Sequence, residues 1–209
     1  MCKPNLILIG AGGHTRACID VIEQHGEFQI AGLIGKPEEI NTLHLGYSVI
    51  ASDLDFPELA KIYQYALIAV GQIQSPDIRI RLYRQALELG FQLPTIIAPA
   101  AYVSRHATIG AGTIVMHGAI VNAGAKIGSN CIINSHALVE HDATVEDSCH
   151  ISTGAILNGN VKIATGSFIG SGSVIKEGVS IGENCLVGMG LTVRYSVGAH
   201  TSFIGQDKT

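Results

Sequence analysis

From Ile97 onward every sixth residue is Ile, Val or Leu, seventeen times in succession up to Val193, without one insertion. The fourth residue after each is small or of moderate size, from Ala101, Ala107 and Thr113 through Cys131, Cys149 and Cys185 to Val197. A period of six suits neither an α-helix nor a simple alternating strand. It suits a coil in which a short strand and a turn occur three times per triangular revolution, eighteen residues in all. The aliphatic residue then fills the interior of a prism, and the small residue is expected at the tight corner. Stacked coils lie about 4.8 Å apart, the strand spacing. Residues 93–209 are therefore read as a left-handed parallel β-helix of hexapeptide repeats. Its narrow interior accounts for the uneven composition: seven aromatics precede residue 97 and four follow it, whereas glycines number nine before and sixteen after.

Residues 1–92 read differently. Asn5–Ile9 has the pattern of a buried strand and is followed by Gly10-Ala-Gly-Gly-His14. An amphipathic helix carrying Ala17, Ile19, Val21 and Ile22 comes next. Ile30–Ile34 and Ala66–Val70 are further strands, and Ile78–Leu89 a helix with Ile80, Tyr83 and Leu87 among basic residues. The succession is that of a small α/β domain of Rossmann-like type. It is not a dinucleotide site of the usual kind: Thr15 stands where the third glycine of G-x-G-x-x-G belongs, and Gly35-Lys36 replaces the acid expected at the end of the second strand. The glycine turn still presents backbone N–H groups at a helix N-terminus, which suits a phosphate or carboxylate.

The net charge of −4 and pI of about 6.1 give no polyanion-binding surface, so nucleic acid is not an expected partner. No stretch approaches the roughly 20 apolar residues of a membrane span, and the N-terminus does not read as a signal peptide. A cytoplasmic protein is expected. The five cysteines form no C-x-x-C, and neither a metal site nor a redox pair is expected. Cys131 and Cys149, one coil apart, read as small core residues.

One revolution stands out. Ile133–His150, INSHALVEHDATVEDSCH, holds three histidines and four carboxylates. His141 lies between Glu140 and Asp142, and a neighbouring carboxylate can orient an imidazole and raise its basicity. Stacking by eighteen puts Ala123 and Gly159 on either side of His141, and Ile132 and Phe168 on either side of His150. His141 falls in the second hexapeptide of the revolution and His150 in the third, hence on different faces. No serine or cysteine stands in a nucleophile motif, so direct attack by an acceptor on a thioester, with histidine as base, is the simplest chemistry.

Ile7–His14 (ILIGAGGH), Ala66–Gly71 (ALIAVG), Thr95–Ala101 (TIIAPAA), Val139–Asp142 (VEHD), His150–Gly154 (HISTG) and Leu157–Val161 (LNGNV) together resemble the sialic acid O-acetyltransferase and nucleotide-aminosugar N-acetyltransferase family, in the family's order. The resemblance implies a homotrimeric acyltransferase with acetyl-CoA as donor, a sugar or sugar nucleotide as acceptor, and a role in surface glycan biosynthesis. It puts the general base at His141, its partner acid at Asp142 and an oxyanion or substrate contact at Asn134. It puts the sugar at Gly12, Gly13, His14 and Gly71, and acetyl-CoA at His150, Gly159, Gly170 and Ser171. N-acetylation of a 4-amino group on a nucleotide-linked sugar leads; O-acetylation of a sialic or legionaminic type of nonulosonic acid, and a non-catalytic sugar-nucleotide scaffold, are the alternatives. Two departures stand out: Gly35-Lys36 in place of the family's acid, and a closing segment, Ile204–Thr209, without the family's proline.

Overall fold

The computed structural model describes residues 3–205. The closing segment from Gln206 on, and Cys2, lie outside the described residues. The N-terminal part runs β1 (Asn5–Ile9), α1 (Gly13–His25), β2 (Gln29–Gly35), β3 (Leu43–His44), β4 (Tyr47–Ser52), α2 (Phe56–Ile62), β5 (Tyr65–Ile68) and α3 (Asp77–Glu88). Its sheet has the order β3-β4-β2-β1-β5, parallel except for the β3–β4 hairpin. β1 is central and buried from Leu6 to Ile9, as its unbroken apolar run requires.

Two helix faces differ from the sequence reading. α1 buries Thr15, Cys18, Ile19, Val21 and Ile22, leaving Ala17 exposed. α3 buries Arg79, Leu82 and Ala86, not Ile80, Tyr83 and Leu87. Thr15, in the place of the fingerprint's third glycine, is fully buried and donates its hydroxyl to the carbonyl of Ala69 at 3.2 Å, tying α1 to the end of β5.

The C-terminal part is a left-handed parallel β-helix of two-residue strands. The second residue of each strand is the aliphatic one, and these residues form one continuous interior from Val115 to Val193. The corners correct one expectation. The small residue points into the interior, as Ala119, Cys131 and Ala137 do. The turn itself is made by the residue before it, which takes a positive φ at every sixth position from Gly112 to Gly190. At His136 and Asp142 a side-chain-bearing residue accepts this left-handed conformation, which L-residues adopt at a cost. Cys131 and Cys149 are buried free thiols.

The first residue of each strand points outward, and this gives each face its own ladder. One face stacks Tyr102, Ile120, Leu138, Ile156, Val174 and Thr192. A second stacks Thr108, Lys126, Thr144, Lys162 and Ser180. The third stacks Ile96, Ile114, Ile132, His150, Phe168, Leu186 and Ser202. The N-terminal domain lies on this third face. Ile96, Ile114 and Ile132 are fully buried in one cluster with Cys18, Ile19, Val21 and Ile22 of α1. Each such isoleucine contributes about 1.5–3 kcal/mol by burial, so the two parts are welded rather than tethered. Where that cover ends the ladder changes from isoleucine to His150.

Candidate active site

A cavity of about 780 Å³ opens where the N-terminal domain stops covering the third face. The turn Gly12-Gly13-His14 and the segment Gly71-Gln72-Ile73 form one wall; Asn134, His150, Phe168, Gly170 and Ser171 form the other. Gly12 is the N-cap of α1. No side chain caps that helix and no acid occupies its first turn, so its amides are available to an anion.

His150 is the fixed centre of the cleft. Its Nδ1 lies 2.6 Å from the carbonyl oxygen of Gln72, which can only accept, so Nδ1 carries the hydrogen. Nε2 is left as an acceptor and takes a hydrogen from Asn134 Nδ2 at 3.1 Å, while Asn134 Oδ1 accepts the Ser135 N–H at 2.8 Å. The ring meets Phe168 edge-on, with centroids 5.1 Å apart. Burial pushes His150 down to about 4, against the Gln72 hydrogen bond, so the ring is neutral near pH 7. His14, its centroid 6.4 Å away, is pushed down to about 3, by burial first and then by the Arg79 charge. Its Nε2 is shielded from solvent and has no partner, as is Oε1 of Gln72. Both line the cleft. Unpaired buried polar atoms are costly, and these two are placed to be satisfied by a polar ligand.

The second cluster is on another face. His141 follows Leu138–Val139 on the apolar-ladder side, and its Nδ1 lies 3.0 Å from Asp142 Oδ2. The left-handed backbone at Asp142 sets the carboxylate beside the preceding ring. The hydrogen bond that His141 donates to Asp142 raises the His141 pKa, and the charges of Asp142, Glu140 and Glu177 add to it. Glu140 accepts the backbone N–H of His141 at 3.1 Å and the Asn122 amide at 3.0 Å, holding the corner. Since the carboxylate takes the Nδ1 hydrogen, Nε2 of His141 is free to accept a proton. The imidazole is 56% exposed, open to whatever stands against this corner.

Thus one chain brings together Gly12, Gly13, His14, Gly71, Asn134, His150, Gly170 and Ser171. His141, Asp142 and Gly159 lie apart from them, and Gly159 stands against the His141 ring rather than in the His150 cleft. Ser171, itself exposed, shares a hydrogen bond with Ser152 at 2.9 Å. Gln72 and Arg79, which the sequence reading passed over, are both buried beside the cleft; Gln72 acts through its carbonyl, which leaves no trace in residue chemistry. A second groove of about 410 Å³ runs from Gly12 past Gly35, Lys36, Glu39, Asp53 and Arg81. Gly12 lines both spaces.

Residues 5–86 match the family model described as the PglD N-terminal domain. Residues 106–141 match the bacterial transferase hexapeptide (six repeats), and residues 160–195 the hexapeptide repeat of succinyl-transferase. No curated protein sequence matches the chain significantly. Among solved structures, a variant of perosamine N-acetyltransferase from Caulobacter crescentus, in complex with CoA and GDP-perosamine, has a TM-score of 0.90 and 30% identity over 99% of this chain and 96% of its own. The chain belongs to the PglD-type sugar acetyltransferase family. The acetyltransferase domain of PglB from Neisseria gonorrhoeae, in complex with acetyl coenzyme A, has a TM-score of 0.88 and 30% identity over 98% of this chain and 97% of its own. WeeI from Acinetobacter baumannii follows with 0.82 and 26% over 97% and 98%. As a PglD-type protein the chain is an acyltransferase, and no described helix is long and apolar enough to cross a membrane.

Proposed function

We propose that the protein transfers the acetyl group of acetyl-CoA to the 4-amino group of a nucleotide-linked amino sugar, with His141 as general base. The observation that carries this is the His141–Asp142 pair: an imidazole whose Nδ1 is committed to a carboxylate and whose Nε2 is open. Nε2 takes the proton that the amine sheds as its nitrogen bonds to the acetyl carbonyl carbon. The carbon–sulfur bond then breaks, the proton held on His141 passes to the sulfur, and CoA leaves as the thiol. Asn134, whose amide gives one hydrogen to His150, has a second to offer the developing oxyanion. His150, Gly170 and Ser171 bound the donor's space, with Phe168 as its apolar floor. Gly12, Gly13, His14 and Gly71 hold the sugar, and the adjoining groove with Lys36 and Arg81 takes the nucleotide. GDP-perosamine and CoA accompany the relative of comparable length described above, which supports an amine acceptor.

The proposed site needs a homotrimer. Tyr102, Ile120, Leu138, Ile156 and Val174 form an apolar ladder on one face, whereas the neighbouring face offers threonine, lysine and serine. A contiguous apolar strip of this kind is what a subunit contact buries. His141 stands at its margin, so packing that face on a second copy carries His141 toward that copy's His150 cleft.

Release of free thiol from acetyl-CoA tests the function directly. GDP-perosamine and other nucleotide-linked 4-amino sugars should release it, and nonulosonic acids should not. Thiol release with a nonulosonic acid alone would transfer the assignment to O-acetylation, and none with any acceptor would favour a scaffold.

A further inference from the structure

Arg79 lies inside the protein, 1% exposed, and no salt bridge among the described residues includes it. An ion buried without a counter-ion is costly unless its hydrogens are used; here Nε and Nη1 are used and the buried Nη2 has no partner among the described residues. Nε donates to the carbonyl of Asn130 at 3.0 Å, and Nη1 donates to those of Ile68 and Val70 at 2.7 and 2.8 Å. One rigid plane thereby joins α3, the end of β5 and the β-helix corner just before Ile132, Ile133 and Asn134. A lysine could not do this, because its point charge lacks the fork.

Directly beyond Val70 come Gly71 and Gln72. The Gln72 carbonyl receives His150 Nδ1–H, its side-chain amide donates to the Gly166 carbonyl at 3.0 Å, and His150 Nε2 in turn receives Asn134. We infer that Arg79 is a positioning residue for acyl transfer: its guanidinium locks the end of β5 against the β-helix, so that the Gln72 carbonyl holds the His150 ring and, through it, the Asn134 amide. This rests on the reading of the cleft as the donor's site. The same charge opposes protonation of the cleft. After burial, Arg79 is among the causes that push His14 to about 3 and His150 to about 4. His150 acts on His14 as well, and the ionisable groups facing Arg79 itself are Cys18, Cys131 and Tyr83: burial pushes Cys18 and Tyr83 up, whereas at Cys131 burial is outweighed by the hydrogen bonding of Cys149 and the Arg79 charge, which draw the thiol down. A protonated His150 has no lone pair for Asn134, so charge and geometry serve one arrangement.

Two substitutions in the full-length protein test this. Arg79→Gln removes the charge and keeps a short planar donor. Arg79→Lys keeps the charge and removes the fork. In Arg79→Gln the His150 midpoint, followed by histidine-selective NMR without substrates, should move up from about 4, while burial, the larger cause, still holds it below the ordinary value of about 6.5. Its kcat should fall about tenfold even at pH 8, because the fork is lost, and its kcat/KM should fall further relative to wild type as the pH drops toward the raised midpoint. In Arg79→Lys the midpoint should stay low while kcat falls about tenfold at every pH. A pH profile of Arg79→Gln superimposable on wild type, with only a lower melting temperature, would make Arg79 a stability residue and overturn the inference. So would wild-type kcat in Arg79→Lys, or failure of both variants to fold by circular dichroism. The NMR midpoints need no acceptor, so a wild-type protein that binds no CoA, together with a shifted midpoint in Arg79→Gln, would sink the donor-site reading and leave the coupling of Arg79 to His150 standing.

Discussion

Gly159 and His141 occupy the same corner one coil apart, and a methyl carbon at 159 would stand 2.7 Å from both Cε1 and Nε2 of the imidazole. Gly159 is buried, and its φ lies outside the left-handed region, so alanine there is strained by contact and not by backbone. In Gly159→Ala the ring must swing away, and its hydrogen bond to Asp142 breaks. Activity should fall about 10–100-fold with a melting temperature close to wild type. Thermal melts beside steady-state kinetics check this; an active variant would show that the ring's seat is unimportant.

His141→Ala should lower kcat roughly 10²–10⁴-fold, the range for losing a general base, with little change in KM for acetyl-CoA. Because the base must be neutral to accept a proton and Asp142 raises its pKa, kcat should climb with pH through a midpoint above the usual histidine value. Asp142→Asn withdraws that effect, so the acid limb should move to lower pH while the plateau drops less than in His141→Ala. A limb that stays where it is in Asp142→Asn would separate the limb from His141.

Ile156→Lys puts a charge into the middle of the apolar ladder without touching the interior, which Leu157 fills. Sedimentation should show dissociation, circular dichroism should show the coil intact, and acetyl transfer should be lost. A trimer with wild-type turnover would place the subunit contact elsewhere.

Acid should weaken the fold through the cleft histidines. Unfolded, each has an ordinary pKa of about 6.5. Folded, they lie at about 3 for His14 and about 4 for His150. Below pH 6.5 the unfolded chain therefore binds protons that the folded chain refuses, and stability falls as pH falls, by at most about 1.4 kcal/mol per unit for each ring, until the folded midpoints are reached. Urea midpoints at fixed protein concentration should drop between pH 7.5 and 5.0, and drop less in His14→Gln. Equal drops would mean that His14 is not held neutral.

The β-helix was legible because its period tolerates no other fold, and the same arithmetic put His141 and His150 on different faces and Phe168 against His150. α3 shows where such arithmetic fails. Its apolar residues suggested one face, but the buried face, Arg79, Leu82 and Ala86, is offset by one residue, about 100° of helix rotation. Arg79, Arg81 and Arg84 are chemically alike in sequence; only the helix's rotation decides which one enters the core. The corner was misjudged for a related reason. A small residue and a left-handed residue are adjacent there, and composition marks the first while backbone geometry marks the second.

The three unlike ladders also bear on how such a chain can change length. Removing a single hexapeptide from an early coil would leave the interior aliphatic register intact, so the prism could still close. It would nevertheless pass every later side chain to the adjacent face: His150 would leave the face that the N-terminal domain covers, and His141 would leave the margin of the apolar strip. Only gains or losses of a whole eighteen-residue revolution preserve both registers. Even those must fall beyond His150, because the number of coils beneath α1 fixes the height at which the cleft opens. Lengthening confined to the far end would extend the wall past Phe168 and Leu186 and leave the chemistry where it stands.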